Sequence, residues 1–167
     1  MTQRRAFEKT EVPANKTKME VRDLLVKYGV KQFGIIEEPC RALIGFTHRG
    51  RTVKIEVPLP DKALRATSKS GSYLAAGTPA ALQAHEQEER RLWRAVRAWI
   101  FAQLEAVQSG IVTYEDAFLP WTVLPNKQTF REWAEPQIER EVSAGRMPHL
   151  LSGTALDGRR LGEGETG

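Results

Sequence analysis

Residues 78–110 constrain the fold most, because they carry one amphipathic pattern without a break for about nine helical turns. At 100° per residue, Leu92, Trp93, Val96, Trp99, Ile100, Leu104 and Val107 fall within an arc of about 140°. Such a stripe is stable in water only when other elements cover it, so the rest of the chain has to supply that cover. Thr78 is a good N-cap, and Pro79 follows at the first helical position, where its missing N–H costs nothing. Gly110 supplies the left-handed stop. On the opposite side Arg90, Arg94 and Arg97 recur at i, i+4, i+7, with Phe101 among them and Arg91 at the edge.

The segments before this helix read as a helix and three strands. Thr17-Lys-Met-Glu20 has the spacing of a capping box, and Val21, Leu24, Leu25 and Tyr28 follow at helical intervals up to Gly29. Gln32–Glu37, Arg41–Thr47 and Arg51–Val57 read as strands, the second with Ala42, Ile44 and Phe46 on one face and the third with Val53, Ile55 and Val57. Glu38-Pro39 and Arg49-Gly50 are the turns between them. Residues 58–78 show no sustained period, carry Lys62, Arg65 and Lys69, and read as a mobile basic loop too long for a mere connector.

After Gly110, Thr113-Tyr-Glu-Asp116 opens a short helix that Pro120 ends, and Thr129-Phe-Arg-Glu132 opens another that Pro136 is expected to kink. Trp93, Trp99, Trp121 and Trp133 all read as core. The expected organisation is a flexible basic arm over 1–16, a single α+β domain over 17–151 and a disordered tail over 152–167. That domain has an N-terminal helix, a three-stranded antiparallel sheet, a long central helix and a helical C-terminal block.

Charge is unevenly spread. Residues 1–78 hold 15 Lys and Arg against 8 Asp and Glu, and the remainder hold 10 against 13. A basic front half suits an anionic partner, of which nucleic acid is the commonest, although many dipolar chains need none. The lone Cys40 excludes an internal disulfide and a cysteine-based zinc cluster, which fits a reducing, cytosol-like compartment. No apolar run approaches the roughly 18 residues that would span a bilayer, and MTQRRAFEKT lacks the apolar core of a signal peptide.

Catalytic patterns are weak. His48, His85 and His149 stand in no nucleophile–base arrangement, and no phosphate-binding glycine loop or zinc-binding HExxH occurs. A metal-dependent nuclease would have to draw on scattered acids such as Glu37 and Glu56, with Lys54 beside them. The chain therefore reads as non-enzymatic, with no cofactor and no metal site. Nucleic-acid contact is assigned to Arg49, Arg51 and Lys54 on the hairpin, to Lys62, Arg65 and Lys69 on the loop, and secondarily to Arg90, Arg94 and Arg97 on the long helix. For the helix a structural role is the better fit, since Glu86 lies one turn before Arg90 and the C-terminal helix offers Glu132, Glu135, Glu139 and Glu141. That helix would also cover Phe101. The hairpin and loop cations have little acid nearby in sequence.

The order helix, three strands, helix over 17–108 is that of a double-stranded-RNA-binding domain. The long helix, however, begins Thr-Pro-Ala-Ala-Leu-Gln-Ala-His-Glu, without that module's lysine cluster, and the loop before it is far longer. The run RRLWRAVRAWIFAQLEAVQSGIVTYEDAFLPWTVLP, from Arg90 to Pro125, with the TF-x-EW start at Thr129–Trp133, resembles a family of small proteins of tailed phages and prophages. That family has no established activity, so no residue roles carry over. The resemblance implies a setting, the host cytoplasm, and two kinds of work. One is accessory binding of nucleic acid; the other is binding an acidic surface of a host or phage protein to inhibit or recruit it.

Overall fold

The computed structural model describes residues 5–68 and 70–146, so the expected tail over 152–167, Lys69 and His149 lie outside the described residues. The architecture is α+β: helix α1 (Ala14–Lys27), strands β1 (Gln32–Glu38), β2 (Arg41–His48) and β3 (Arg51–Pro58), the two-residue strands β4 (Ala66–Thr67) and β5 (Tyr73–Leu74), then helices α2 (Pro79–Gln108), α3 (Tyr114–Phe118) and α4 (Phe130–Ser143). By compactness the chain divides into two units, Met1–Arg131 and Glu132–Gly167, where the sequence reading drew one domain over 17–151.

In the first unit the sheet is an antiparallel meander, β1-β2-β3. Register puts Phe33, Phe46 and Val53 in one row and Ile35, Ile44 and Ile55 in the next, so one face is apolar. The core forms where that face meets Val21, Leu24 and Leu25 of α1, Trp93, Ile100 and Leu104 of α2, and Tyr114 and Phe118 of α3. Leu92, Val96, Trp99 and Val107 pack at its margin, so the stripe read from the sequence is the side of α2 that is covered. Trp99 meets Trp121 edge-on at 4.5 Å between ring centroids. Thr78 accepts from the Ala81 N–H as N-cap, and the backbone turns off at Gly110 (φ 70°). The Thr113–Asp116 capping box is present, with both reciprocal hydrogen bonds.

Several expectations are corrected. Helix α1 begins at Ala14, not at a Thr17 cap: the Thr17 hydroxyl is buried and donates back to the Pro13 carbonyl, one turn earlier. Glu20 is thereby released from capping and reaches α2. The segment from Arg5 to Pro13 is no loose arm. Arg5 pairs with Glu88 at 3.0 Å, and Gln87 Nε2 donates to the carbonyls of Glu8 (3.2 Å) and Thr10 (2.8 Å). The 58–78 loop is organised too, because β4 and β5 pair, Ala66 is buried, and the His85 ring on α2 hydrogen-bonds the Leu64 carbonyl at 3.1 Å.

The second unit is the body of α4, which runs through Pro136. Gly145 (φ 66°) follows the end of the helix, and Arg146 clasps Glu141 with two hydrogen bonds. Trp133, expected in the core, is exposed, as are Ile138 and Val142 on the same helix.

Candidate nucleic-acid interface

The hairpin tip is shaped by its turn. His48 pairs with Arg51 across a two-residue loop in which Arg49 (φ 49°) and Gly50 (φ 74°) are both left-handed, the type I′ geometry that matches the strands' twist. A type I′ turn leaves its first residue pointing clear of the sheet, and Arg49 is exposed. Its guanidinium lies 6.0 Å from the centre of the Tyr114 ring, while the His48 ring meets Tyr114 edge-on at 5.0 Å. Arg51 Nε is 3.4 Å from Glu115, with both partners near the surface (43% and 40% exposed). Tyr114 itself is buried with its hydroxyl unpartnered, and burial, helped by the nearby Glu115 charge, pushes its pKa up to about 12.

The loop cations sit elsewhere. Arg51 and Pro58 are the two ends of β3, about 23 Å apart at the usual rise per residue. Lys62 follows the far end and lines a cleft of about 370 Å³ together with Glu37, Glu38, Asp61 and Glu89, forming an ion pair with Glu89 at 3.1 Å. Glu37 and Glu38 are taken by Lys18 and Arg41, and Lys62 by Glu89, so Lys62 is quenched, which corrects the expectation for that cation. Arg65 stacks over the Tyr73 ring at 4.3 Å. Hairpin and loop are thus two surfaces, not one. Lys54 lies between them on the outward face of β3, where it too is engaged.

The helix cations are largely structural. Arg94 Nη1 and Arg97 Nε both lie 2.6 Å from Glu20 Oε2, the first hydrogen-bonded and the second an ion pair without hydrogen-bond geometry. The expectation had placed their carboxylate on the C-terminal helix; Glu20 belongs to α1. Arg90 keeps the i, i+4 partner read from the sequence, Glu86, at 3.7 Å. Phe101, expected to be covered, is exposed.

Glu37 and Glu56 do not converge. Glu37 shares its row with Ala42 and Val57 on the inward face and pairs with Lys18, whereas Glu56 shares a row with Ile36 and Leu43 on the outward face. Among the described residues no group of three or more His, Cys, Asp or Glu is placed to hold a metal, and no helix is long and apolar enough to cross a membrane.

No protein family, curated protein or solved structure matches the chain. Sequence reasoning missed three residues. Tyr114 and Glu115 look like ordinary first-turn residues of α3, and only the fold brings them under the hairpin. The signal for the other, Phe7 among Arg5 and Lys9, was present as an aromatic interleaved with cations in a segment read as an arm.

Proposed function

We propose that this protein binds nucleic acid without chemically altering it, as an accessory protein of the tailed-phage kind working in the host cytoplasm, and that the β2–β3 hairpin tip is its main contact. The observation that carries the reading is the tip itself. Arg49 and Arg51, with His48 beside them, project from a type I′ turn, and among the described residues one carboxylate, Glu115, pairs with Arg51. Exposed guanidiniums on a fixed turn gain counterion-release free energy from phosphates with little ordering cost. Lys62 and Arg65 contribute less, since Lys62 is paired with Glu89 and Arg65 lies over the Tyr73 ring.

The test is binding of labelled single-stranded, duplex and RNA probes from about 50 mM salt upward, where each neutralised phosphate adds roughly −0.7 to −0.9 to the slope of log K against log salt. Replacing Arg49 and Arg51 by Gln should flatten the slope by one to two such increments, and replacing Lys62 and Arg65 by much less. Absence of binding to all three probes at low salt would sink the proposal.

A second reading, engagement of an acidic protein surface, is favoured by one observation. Leu64 and Tyr73 are exposed beside Arg65, which joins apolar area to charge. A single stoichiometric partner that survives nuclease treatment in a pull-down, and is lost with Leu64→Ser and Tyr73→Ser, would favour it.

A further inference from the structure

The segment docked on α2 forms, together with that helix, an open cleft of about 380 Å³ lined by Arg5, Phe7, Glu8, Lys9 and Arg94 among others. That volume lies within the range of about 300–1,000 Å³ typical of small-molecule sites. Glu8 lies on the wall of the cleft, and two further carboxylates, each shared, pair with the cations around it. One Glu88 oxygen meets both Arg5 (3.0 Å) and Arg91 (2.7 Å). One Glu20 oxygen meets both Arg94 and Arg97, at 2.6 Å. Each pair of guanidiniums thus keeps one positive charge that its carboxylate does not neutralise, and on the cleft wall Arg5, Lys9 and Arg94 stand against Glu8 alone, a balance that suits an anion.

Phe7 supplies an independent observation. Its backbone is left-handed (φ 60°), a conformation that bulky side chains avoid. The surroundings hold it there: the Thr10 N–H closes a turn onto the Phe7 carbonyl at 3.1 Å, and Gln87 grips the carbonyls on the far side of that turn. The ring is nevertheless 40% exposed and meets no other aromatic ring among the described residues. Strain maintained to present a side chain rather than to bury it marks a site. An exposed ring in a cleft that guanidiniums also line is what an unpaired base stacks on, with its phosphate held alongside.

We infer that this cleft seats one nucleotide of a single strand, the base against Phe7 and the phosphate between Arg5 and Arg94. The inference rests on the nucleic-acid reading and adds the strand type to it, because a base stacked within a duplex cannot reach a ring inside a cleft.

The experiment compares a labelled oligothymidylate of about 12 nucleotides with a duplex of similar length, by fluorescence anisotropy at about 50 mM salt. Phe7→Gly removes the ring while suiting the left-handed backbone, so the variant should melt no lower than the wild type. It should bind the single strand about 5- to 150-fold more weakly and the duplex within about twofold of wild type. Phe7→Trp should keep single-strand affinity, and Arg5→Gln should lower the single-strand salt slope by about 0.7. Single-strand binding unchanged in Phe7→Gly, or single-strand and duplex binding weakened alike, overturns the inference and leaves the broader reading standing. A wild type that binds neither probe overturns both.

Discussion

The α1–α2 seam, where Arg94 and Arg97 share Glu20, and the β2–β3 hairpin tip, where Arg51 faces Glu115 and Arg49 lies over the Tyr114 ring, are both built from two arginines and a glutamate. In the seam the contacts are 2.6 Å and the side chains are between 21% and 32% exposed. At the tip the one ion pair is 3.4 Å and both partners are more exposed. The residue types match, yet the first group joins two helices and the second stands in solvent. Position relative to the core decides the difference, since ion pairs gain strength as water is withdrawn and lose it to screening at the surface. A tally of arginines therefore says little about which of them can meet a partner.

The contrast can be broken most forcefully at Trp93, which is fully buried in the seam beneath the Lys18 ammonium, 5.1 Å from its ring. Trp93→Ala should cost about 3–5 kcal/mol in urea unfolding. A loss below 1 kcal/mol would mean that the seam is not packed as described.

Glu20→Gln should cost about 1–3 kcal/mol, because it leaves two partly buried guanidiniums facing each other without their shared carboxylate. Unchanged stability in that variant would put Arg94 and Arg97 back among the free cations.

Tyr114→Phe addresses the tip from beneath. The hydroxyl has no partner among the described residues, so at neutral pH its removal should shift stability by less than about 1 kcal/mol. The pH dependence is the sharper test. The folded protein holds the phenol proton to about 12, whereas the unfolded chain releases it near the ordinary value of 10.0. The folded state thus binds more protons through that window, and this component of stability, intact below pH 10, is lost as pH rises toward 12. In the Phe variant the unfolding free energy should fall less steeply over that interval; equal slopes would show that Tyr114 is not held protonated by the fold.

The smallest effect is expected for Glu115→Gln, within about 0.5 kcal/mol of wild type in unfolding, as for other exposed ion pairs. Its nucleic-acid affinity should rise, since Arg51 is then free of its only described carboxylate. Lower affinity, or a large loss of stability, would erase the distinction between tip and seam.

What was legible in the sequence follows a physical boundary. The stripe on α2, the Thr78-Pro79 start, the Thr113–Asp116 box, the three strands and the Arg49-Gly50 turn could all be read, because each is set by groups within about four residues of one another. The same local logic misled at Thr17 and Glu20, where a capping-box spacing was present but tertiary contacts claimed both side chains: burial took the hydroxyl and Arg94 took the carboxylate. It also missed the docking of residues 5–13, which depends on Glu88 and Gln87 some eighty positions away.

The sequence by itself therefore determined an α+β chain built around one amphipathic helix with a basic hairpin before it, since period and turn chemistry are local properties. Only the tertiary structure decided which cations are spoken for, that the hairpin and the start of the loop lie at opposite ends of the sheet, and that Phe7 shares a cleft with Arg5 and Arg94. The reason is that charge pairing and shielding depend on distance in space, and for Glu20 and Arg94 that distance is 2.6 Å across 74 positions of chain.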